Sequence, residues 1–543
     1  VYDTSYADAT PIKFASPSEI GFTQNFYNPI AIAKYNNNQN QTFQAITNFY
    51  AELTFIPEKL KFKTSYSGDF SLTRNRIYIE PYYVSSWQQQ SVSSLNKSDS
   101  NYYNYILDNT LSYTDSWNKH NINFLLGESS RQEQYRYLDG TASNVPGDHE
   151  EYWYLSQGNS DGRTVNDNGS CYRGLSYFTR LSYNYDSKYL LSLTMRADGS
   201  SKYQKKWGYF PSVGAAWVIS DESFFKKQHA FDYMKLRASW GLLGNDHVAA
   251  SDGFASIASG LSASGVFGNT TIPGYQNTSY FSWLRWEKVA ETNVGLNFTM
   301  LNNRLNVDAD YYNRITKNAV INVTLPFSTS TLAGNNGEIG NSGFDFQINW
   351  NDKLGKDFGY YAGLTLSTLR NRIKSLNGAP YIYGGSAESR TINLVGHQMN
   401  SYYGYKVIGV YQNQAQVDAD PVAKANNLEP GDFIYQDVNK DNVIDSKDRQ
   451  VLGSNIPTVT YGLNLGFNYK NFDLSMSTFG ESGNKIYDRK RALRYAQSNY
   501  NFDENMYKKR WTGEGSTNSY PSSKGMLKAW NNSNTNSFFV ENG

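Results

Sequence analysis

The sequence contains no run of about 18 apolar residues, so no helix it encodes is long and oily enough to cross a bilayer. That absence excludes helical spans and nothing more, because a β-barrel crosses with strands in which apolar and polar residues alternate, and its mean hydropathy stays low. Cysteine is nearly missing too: Cys171 stands alone, which rules out an intramolecular disulfide and disfavours the disulfide-dense extracellular class. Neither sign of charge is in excess, with 50 Lys plus Arg against 49 Asp plus Glu, so no nucleic-acid partner held by phosphate neutralisation is expected. His120, His149, His229, His247 and His397 are scattered without metal-ligand spacing, and no H-E-x-x-H, G-x-S-x-G or phosphate-cradling loop occurs. Carboxylates such as Asp148, Glu150 and Glu151 lie close enough in sequence to flank a glycosidic bond, but 49 acidic residues supply such groupings by chance. The expectation is therefore a protein that is not an enzyme.

What is present is a strand-and-turn composition. Tyr (45), Phe (29) and Trp (11) are abundant, and Gly (43) far outnumbers Pro (14); aromatics favour pleated surfaces and Gly supplies tight turns. Period-two alternation recurs over the roughly ten residues that a tilted strand needs to cross a bilayer. Leu191, Leu193, Met195 and Ala197 alternate with Ser192, Thr194, Arg196 and Asp198; Leu305, Val307, Ala309 and Tyr311 alternate with Asn306, Asp308, Asp310 and Tyr312. Phe344, Phe346, Ile348 and Trp350 alternate with Asp345, Gln347 and Asn349, and Tyr461, Leu463, Leu465, Phe467 and Tyr469 with Gly462, Asn464, Gly466 and Asn468.

A soluble β-sandwich also alternates, so alternation alone leaves two folds open. Connection lengths separate them. Short turns are expected at Pro57–Lys59, Trp117–Lys119, Asp186–Lys188, Asn302–Asn303, Asn351–Asp357 and Lys470–Asn471. A seventh pair is bridged by a single helical turn over Ser220–Lys227, with Ser220 as N-cap and Asp221 and Glu222 in the first turn. Long connections follow Phe70, Glu128, Gly241, Asn313 and Arg370. Short turns at one end and long loops at the other are the asymmetry of outer-membrane barrels, and closure satisfies every backbone polar group in a solvent that offers none. The expected fold is an all-β transmembrane antiparallel β-barrel with long extracellular loops, about 14 strands of it in this chain. Tyr183 with Tyr185, Trp283 with Trp286, and Tyr311 with Tyr312 are candidate interfacial girdles.

At these residues a resemblance appears. The run YLLSLTMRADGSSKYQKKWGYFPSVGAAW (Tyr189 to Trp217) and the following MKLRASWGLLGN (Met234 to Asn245) resemble the SusC/RagA-type TonB-dependent transporters of the Bacteroidetes. Further blocks follow in order: RWEKVAETNVGLNF (from Arg285), DADYYNRITKNAVI (from Asp308), NNGEIGNSGFDF (from Asn335), SYYGYKVIGVYQ (from Ser401), GDFIYQDVNKDNVIDSKD (from Gly431) and GSNIPTVTYGLNLGF (from Gly453). The resemblance implies a plugged barrel of about 22 strands in the bacterial outer membrane. It also implies import of oligosaccharides or peptides, a SusD-like lipoprotein over the extracellular mouth, and energy from the TonB complex. The family's plug and TonB box would precede residue 1 and further strands would follow the SFFVENG ending, so residues 1–543 are expected to be part of a longer barrel protein. The alternative from another class is a secreted β-sandwich or propeller that binds or cleaves glycans.

One local motif stands apart. Asp437, Asn439, Asp441, Val443 (through its carbonyl), Asp445 and Asp448 fall at ligand positions 1, 3, 5, 7, 9 and 12 of a Ca²⁺ loop, the spacing that wraps oxygens around a hard cation. Asn442 replaces the usual Gly at position 6 and Asp448 the usual Glu at position 12, which should weaken or reshape the site. The expected role is structural, stiffening a long extracellular loop. Arg196, Asp198, Arg237, Asp308, Asp310 and Asp345 are candidate lining for a polar solute path, and Tyr381 to Tyr383 and Tyr402 to Tyr405 are candidates for stacking on sugar, clasping peptide or meeting the lipoprotein.

Overall fold

A computed structural model describes residue 14 and residues 27–147, 149–249, 256–268, 270–279, 284–324, 331–386, 388–495, 504–532 and 535–543. The long strands are β1 (Asn36–Ile56), β2 (Leu60–Ile79), β3 (Ser94–Trp117), β4 (His120–Ser143), β5 (Thr164–Tyr185), β6 (Tyr189–Ser200), β7 (Trp207–Val218) and β8 (Phe231–Asn245). They continue as β9 (Glu287–Met300), β10 (Leu305–Thr324), β11 (Thr331–Leu354), β12 (Phe358–Thr368), β13 (Arg370–Leu376), β14 (Val459–Tyr469) and β15 (Phe472–Ser482). These 15 strands form a large antiparallel sheet whose order follows the chain, except that β13 pairs with β11. The chain divides into two compact units, one of Val1–Tyr113, Leu125–Phe178 and Asp198–Lys202, the other of Thr114–Phe124, Thr179–Ala197 and Tyr203–Gly543.

In the first unit β1 pairs with β2 from Asn36↔Ile79 to Ile56↔Leu60, with a bulge beside Thr54, and β2 pairs with β3 from Leu60↔Tyr113 to Ile79↔Ser94. Its buried cluster, Tyr78, Leu95, Ala142, Val145 and Trp153, sits where strand ends meet the connections; Trp153 stacks on Tyr78 with ring centroids 4.1 Å apart. In the second unit a corresponding cluster gathers Tyr203, Phe210, Leu284 and Trp286. Trp286 is therefore buried rather than part of a girdle, its Nε1 donating to the Lys206 carbonyl at 2.8 Å, while Trp283 lies outside the described residues. Of the pair Tyr311 and Tyr312, alternation sends only Tyr311 to the apolar face; the Tyr312 hydroxyl donates to the Thr368 carbonyl at 3.0 Å.

The short turns fall where the sequence places them, and their chemistry explains why. Glu58, Asn118, Asp186, Ser187, Asn302, Asn303 and Lys470 take positive φ, the conformation that tight hairpins demand and that Asn and Asp accept most readily. Two expectations shift. β11 runs to Leu354, so the turn expected over residues 351–357 shrinks to 355–357, with Gly355 at φ 66°. The link between β7 and β8 is not one turn capped by Ser220 but two 3₁₀ turns, Ile219–Asp221 and Phe225–Lys227, neither with a side-chain cap. Ser220 sits inside the first of them, and the acidic Glu222 folds back onto the strands instead.

The connection expected after Asn313 is also shorter than alternation suggested. β10 and β11 continue pairing past Lys317↔Glu338 to Thr324↔Thr331, so much of it is an extended hairpin. Hydrogen-bonded ladders persist in water after the apolar face has ended, and hydropathy alone cannot mark where they stop.

Candidate functional site: a charged rung on the polar wall

Because pairing is antiparallel and nearly free of bulges in the second unit, residues far apart in sequence share one lateral rung. Ala216, Arg237, Gly295, Asp310, Asp345, Ser367, Thr460 and Glu481 are consecutive cross-strand partners on β7, β8, β9, β10, β11, β12, β14 and β15. Directly opposite residues lie on the same face, so the polar set expected from alternation becomes one wall. Arg237 Nη2 donates to Asp310 Oδ2 at 2.5 Å and to Asp308 Oδ1 at 3.4 Å. To do so the guanidinium crosses the intervening strand above Gly295. A Cβ at that position would lie 2.3 Å from Asp310 Oδ1 and 2.5 Å from Arg237 Nε, so only Gly leaves room for the bridge. Ser367 Oγ donates to Asp345 Oδ1, and Arg314 meets Glu291 at 2.8 Å.

Two concavities of about 840 Å³ and 650 Å³ open on this wall and share Arg237, Asp310 and Asp345. One cation on the rung faces the carboxylates of Asp310, Asp345 and Glu481, so the wall at this level is acidic. The opposite face is oily: Leu236, Trp240, Val294, Tyr311, Phe344, Tyr461, Leu465, Leu474 and Met476 are all exposed. The structure thus gathers Arg237, Asp308, Asp310 and Asp345 as the alternation predicted. Arg196 and Asp198 do not line either concavity. Gly295, Ser367, Thr460 and Glu481 escaped sequence reasoning because only the pairing register, not local alternation, brings them to the same rung.

The acidic loop adopts a wound form in which its carboxylates receive backbone N–H groups. Asp437 accepts from Lys440 N (2.6 Å) and Asn442 N (2.9 Å), Asp441 from Val443 N (2.9 Å), and Asp445 from Lys447 N (2.7 Å). Asn439 Nδ2 donates to Asp441 Oδ2 at 2.7 Å. Asn442 takes φ 64°, as its place in the motif requires. Asp448 is fully buried, and both its oxygens are engaged, by Val438 N at 2.9 Å and Asp445 N at 2.8 Å. Among the described residues no three His, Cys, Asp or Glu side chains converge as a ready-made metal cage.

The tyrosine-rich segments separate by environment. Tyr405 is buried against Phe433 and Tyr435, whereas Tyr381 and Tyr383 are exposed, their rings 4.8 Å apart, with Tyr403 5.8 Å and the Arg390 guanidinium 5.4 Å from Tyr383.

A sheet with one exposed oily face and one hydrated, charged face defines a class, the membrane-spanning β-barrel protein. The family described as TonB dependent receptor-like, beta-barrel, matches residues 2–401, well over half of the chain, and the chain belongs to it. This is a family of outer-membrane transporters and not of enzymes, which answers the alternative of a secreted sandwich or propeller. TonB-dependent receptor P26 of Formosa agariphila is 29% identical over 544 residues, covering 95% of this chain and 52% of its own length. TonB-dependent receptor SusC of Bacteroides thetaiotaomicron is 31% identical over 332 residues, 58% of this chain and 31% of that protein. The RagAB peptide importer in its closed-closed state shares the fold with a TM-score of 0.79 at 21% identity, over 96% of this chain and 56% of that one. The chain spans about half the length of the curated relatives it matches.

Proposed function

We propose that the protein containing this chain imports oligosaccharides or peptides across the outer membrane, working with a SusD-like surface lipoprotein and drawing energy from the TonB complex. The observation that carries the reading is the acidic, concave polar wall backed by an exposed apolar face: such a sheet offers hydrated passage on one side and lipid contact on the other. The likeness to TonB-dependent receptor SusC supports the TonB-dependent part of the reading, and the likeness to a structure described as a peptide importer supports the peptide class. The test is uptake by the native organism of defined oligosaccharides and peptides, with and without the gene, combined with purification of the native complex. Loss of uptake and recovery of a lipoprotein partner are expected; unchanged uptake of both classes would overturn the reading.

We further propose that the loop from Asp437 to Asp448 binds Ca²⁺ through Asp437, Asn439, Asp441, Asp445 and the Val443 carbonyl, with Asp448 shaping the loop from within. Its winding already turns the side-chain oxygens of Asp437, Asn439 and Asp441 inward onto the loop's own backbone, where they accept from Lys440 N, Asp441 N and Val443 N. Calorimetric titration with Ca²⁺ should give a binding isotherm that Asp441→Ala abolishes; identical traces for the two proteins would remove the site.

A further inference from the structure

We propose that the link between β7 and β8 is a lipid anchor, in which Phe224 enters the bilayer interface while Lys226 and Lys227 hold phosphate groups of phospholipids in the leaflet at the short-turn end. The link is pinned to the sheet at one side chain. Glu222 accepts from the Tyr189 hydroxyl at 2.6 Å and from Trp217 Nε1 at 3.1 Å, and Lys188 approaches it at 3.8 Å. These hydrogen bonds hold its carboxyl below the usual carboxylate range. With Glu222 turned onto the strands, the rest of the link lies beyond the ends of β7 and β8.

An aromatic file then runs from the link onto the apolar face. Trp217 lies 6.3 Å from Phe224, Phe224 6.5 Å from Phe225, Phe225 6.2 Å from Phe231, and Phe231 5.5 Å from Phe298. Phe231 pairs opposite Met300 across a bulge, which places it on the same face as Phe298 and the exposed Val294. The file is therefore continuous with the surface that the family places in lipid. Phe224 is 61% exposed at its outer end, a position that water disfavours and an interface suits, since aromatic rings concentrate at headgroup level.

The cations complete the argument. Lys119 and Lys188, on the neighbouring turns, are occupied by Asp186 at 2.8 Å and 3.7 Å. Lys226 and Lys227 are exposed and have no ion-pair partner among the described residues. Two unpaired ammonium groups next to an exposed ring at the rim of an apolar face fit an anionic headgroup better than they fit water or another protein's apolar patch. Long aliphatic stems let them lie along the oily surface with the charge at headgroup level.

The inference rests on membrane placement, and its test separates the two. With Cys171→Ser removing the native thiol, Phe224→Cys in the full chain is nitroxide-labelled and reconstituted into nanodiscs containing phosphatidylglycerol. The label should collide more often with oxygen than with a water-soluble nickel chelate; the reverse order in a correctly reconstituted protein would overturn the anchor, whereas failure to enter nanodiscs would overturn membrane placement. In detergent, phosphatidylglycerol bound per protein is counted by native mass spectrometry. Lys226→Ala with Lys227→Ala should weaken binding on the order of ten-fold, and the exposed pair Lys440→Ala with Lys447→Ala should not. Inorganic phosphate should not compete; equal retention of lipid by both double variants, or full displacement by phosphate, would overturn the headgroup assignment.

Discussion

The strands and the segments that connect them solve opposite problems. On β15, Phe472 is 76% and Leu474 57% exposed, whereas Phe433, Met526 and Phe539, in the segments before β14 and after β15, are fully buried. The connecting segments build a small-protein core: Asp432, 1% exposed, meets Lys528 at 2.7 Å and receives Asn531 Nδ2 at 3.0 Å, and the Tyr435 hydroxyl donates to the Trp530 carbonyl at 2.7 Å. Along most of their length the strands build no such core, because their apolar face has another destination; Tyr78, Leu95 and Phe210 are buried only where strand ends meet the connections. The lesson is that this chain is matched to two solvents, and burial marks the part that lives in water.

Four measurements put the difference between strands and connecting segments to the test. The largest effect is expected in the connecting segments: Phe433→Ala should cost about 3 to 5 kcal/mol of local stability, read as lost hydrogen-exchange protection over residues 405–454, 485–495, 504–532 and 535–543. Leu474→Ala should cost less than about 1 kcal/mol; equal losses would mean that the strands carry a core after all. Next, Leu193→Arg should destabilise the folded protein in bilayers by about 2 to 4 kcal/mol, and Thr194→Arg by clearly less. Equal tolerance would contradict the assignment of faces.

On the polar wall, Gly295→Val should cost about 1 to 3 kcal/mol through overpacking, because its side chain drives Arg237 away from Asp310. Gly295→Val in an Arg237→Ala background should recover part of that loss, and no recovery would mean that the bridge is incidental. The smallest effect concerns pH. Glu222 is held below the ordinary carboxylate range by Tyr189 and Trp217, so its anchoring of the β7–β8 link is complete above that range and is lost only as pH falls below it, through the lowered value. Protection factors in the link, exchange rates divided into the intrinsic rate at each pH, should fall on acidification, and Glu222→Gln should flatten that fall.

Most of the sheet was legible in the sequence because two signals agreed: alternation gave the faces, and Asn, Asp and Gly marked the turns. The expected strand number of about 14 matches the long strands, with β13 added by its pairing to β11. What stayed hidden depended on register or on packing. Glu481 and Gly295 join Arg237 only through cross-strand pairing, and nothing local in GLNF or FGES announces it. Trp286 reads as a girdle residue by type, yet Tyr203 and Phe210, many residues away, close over it. Ser220 has the chemistry of an N-cap, but the helical turn it would cap is displaced by Glu222, whose partners Tyr189 and Trp217 come from two strands. The folded core around Phe433 carries no period in sequence, since irregular chain buries its apolar residues without one.

The two-faced wall can be tested directly by single cysteines in a Cys171→Ser background, reconstituted in nanodiscs and exposed to a charged maleimide. Cysteine at Gln347, Asn349 and Asn464 should react, and cysteine at Phe346, Ile348, Leu463 and Leu465 should be protected. Reactivity that ignores this alternation, or inverts it, would contradict the account.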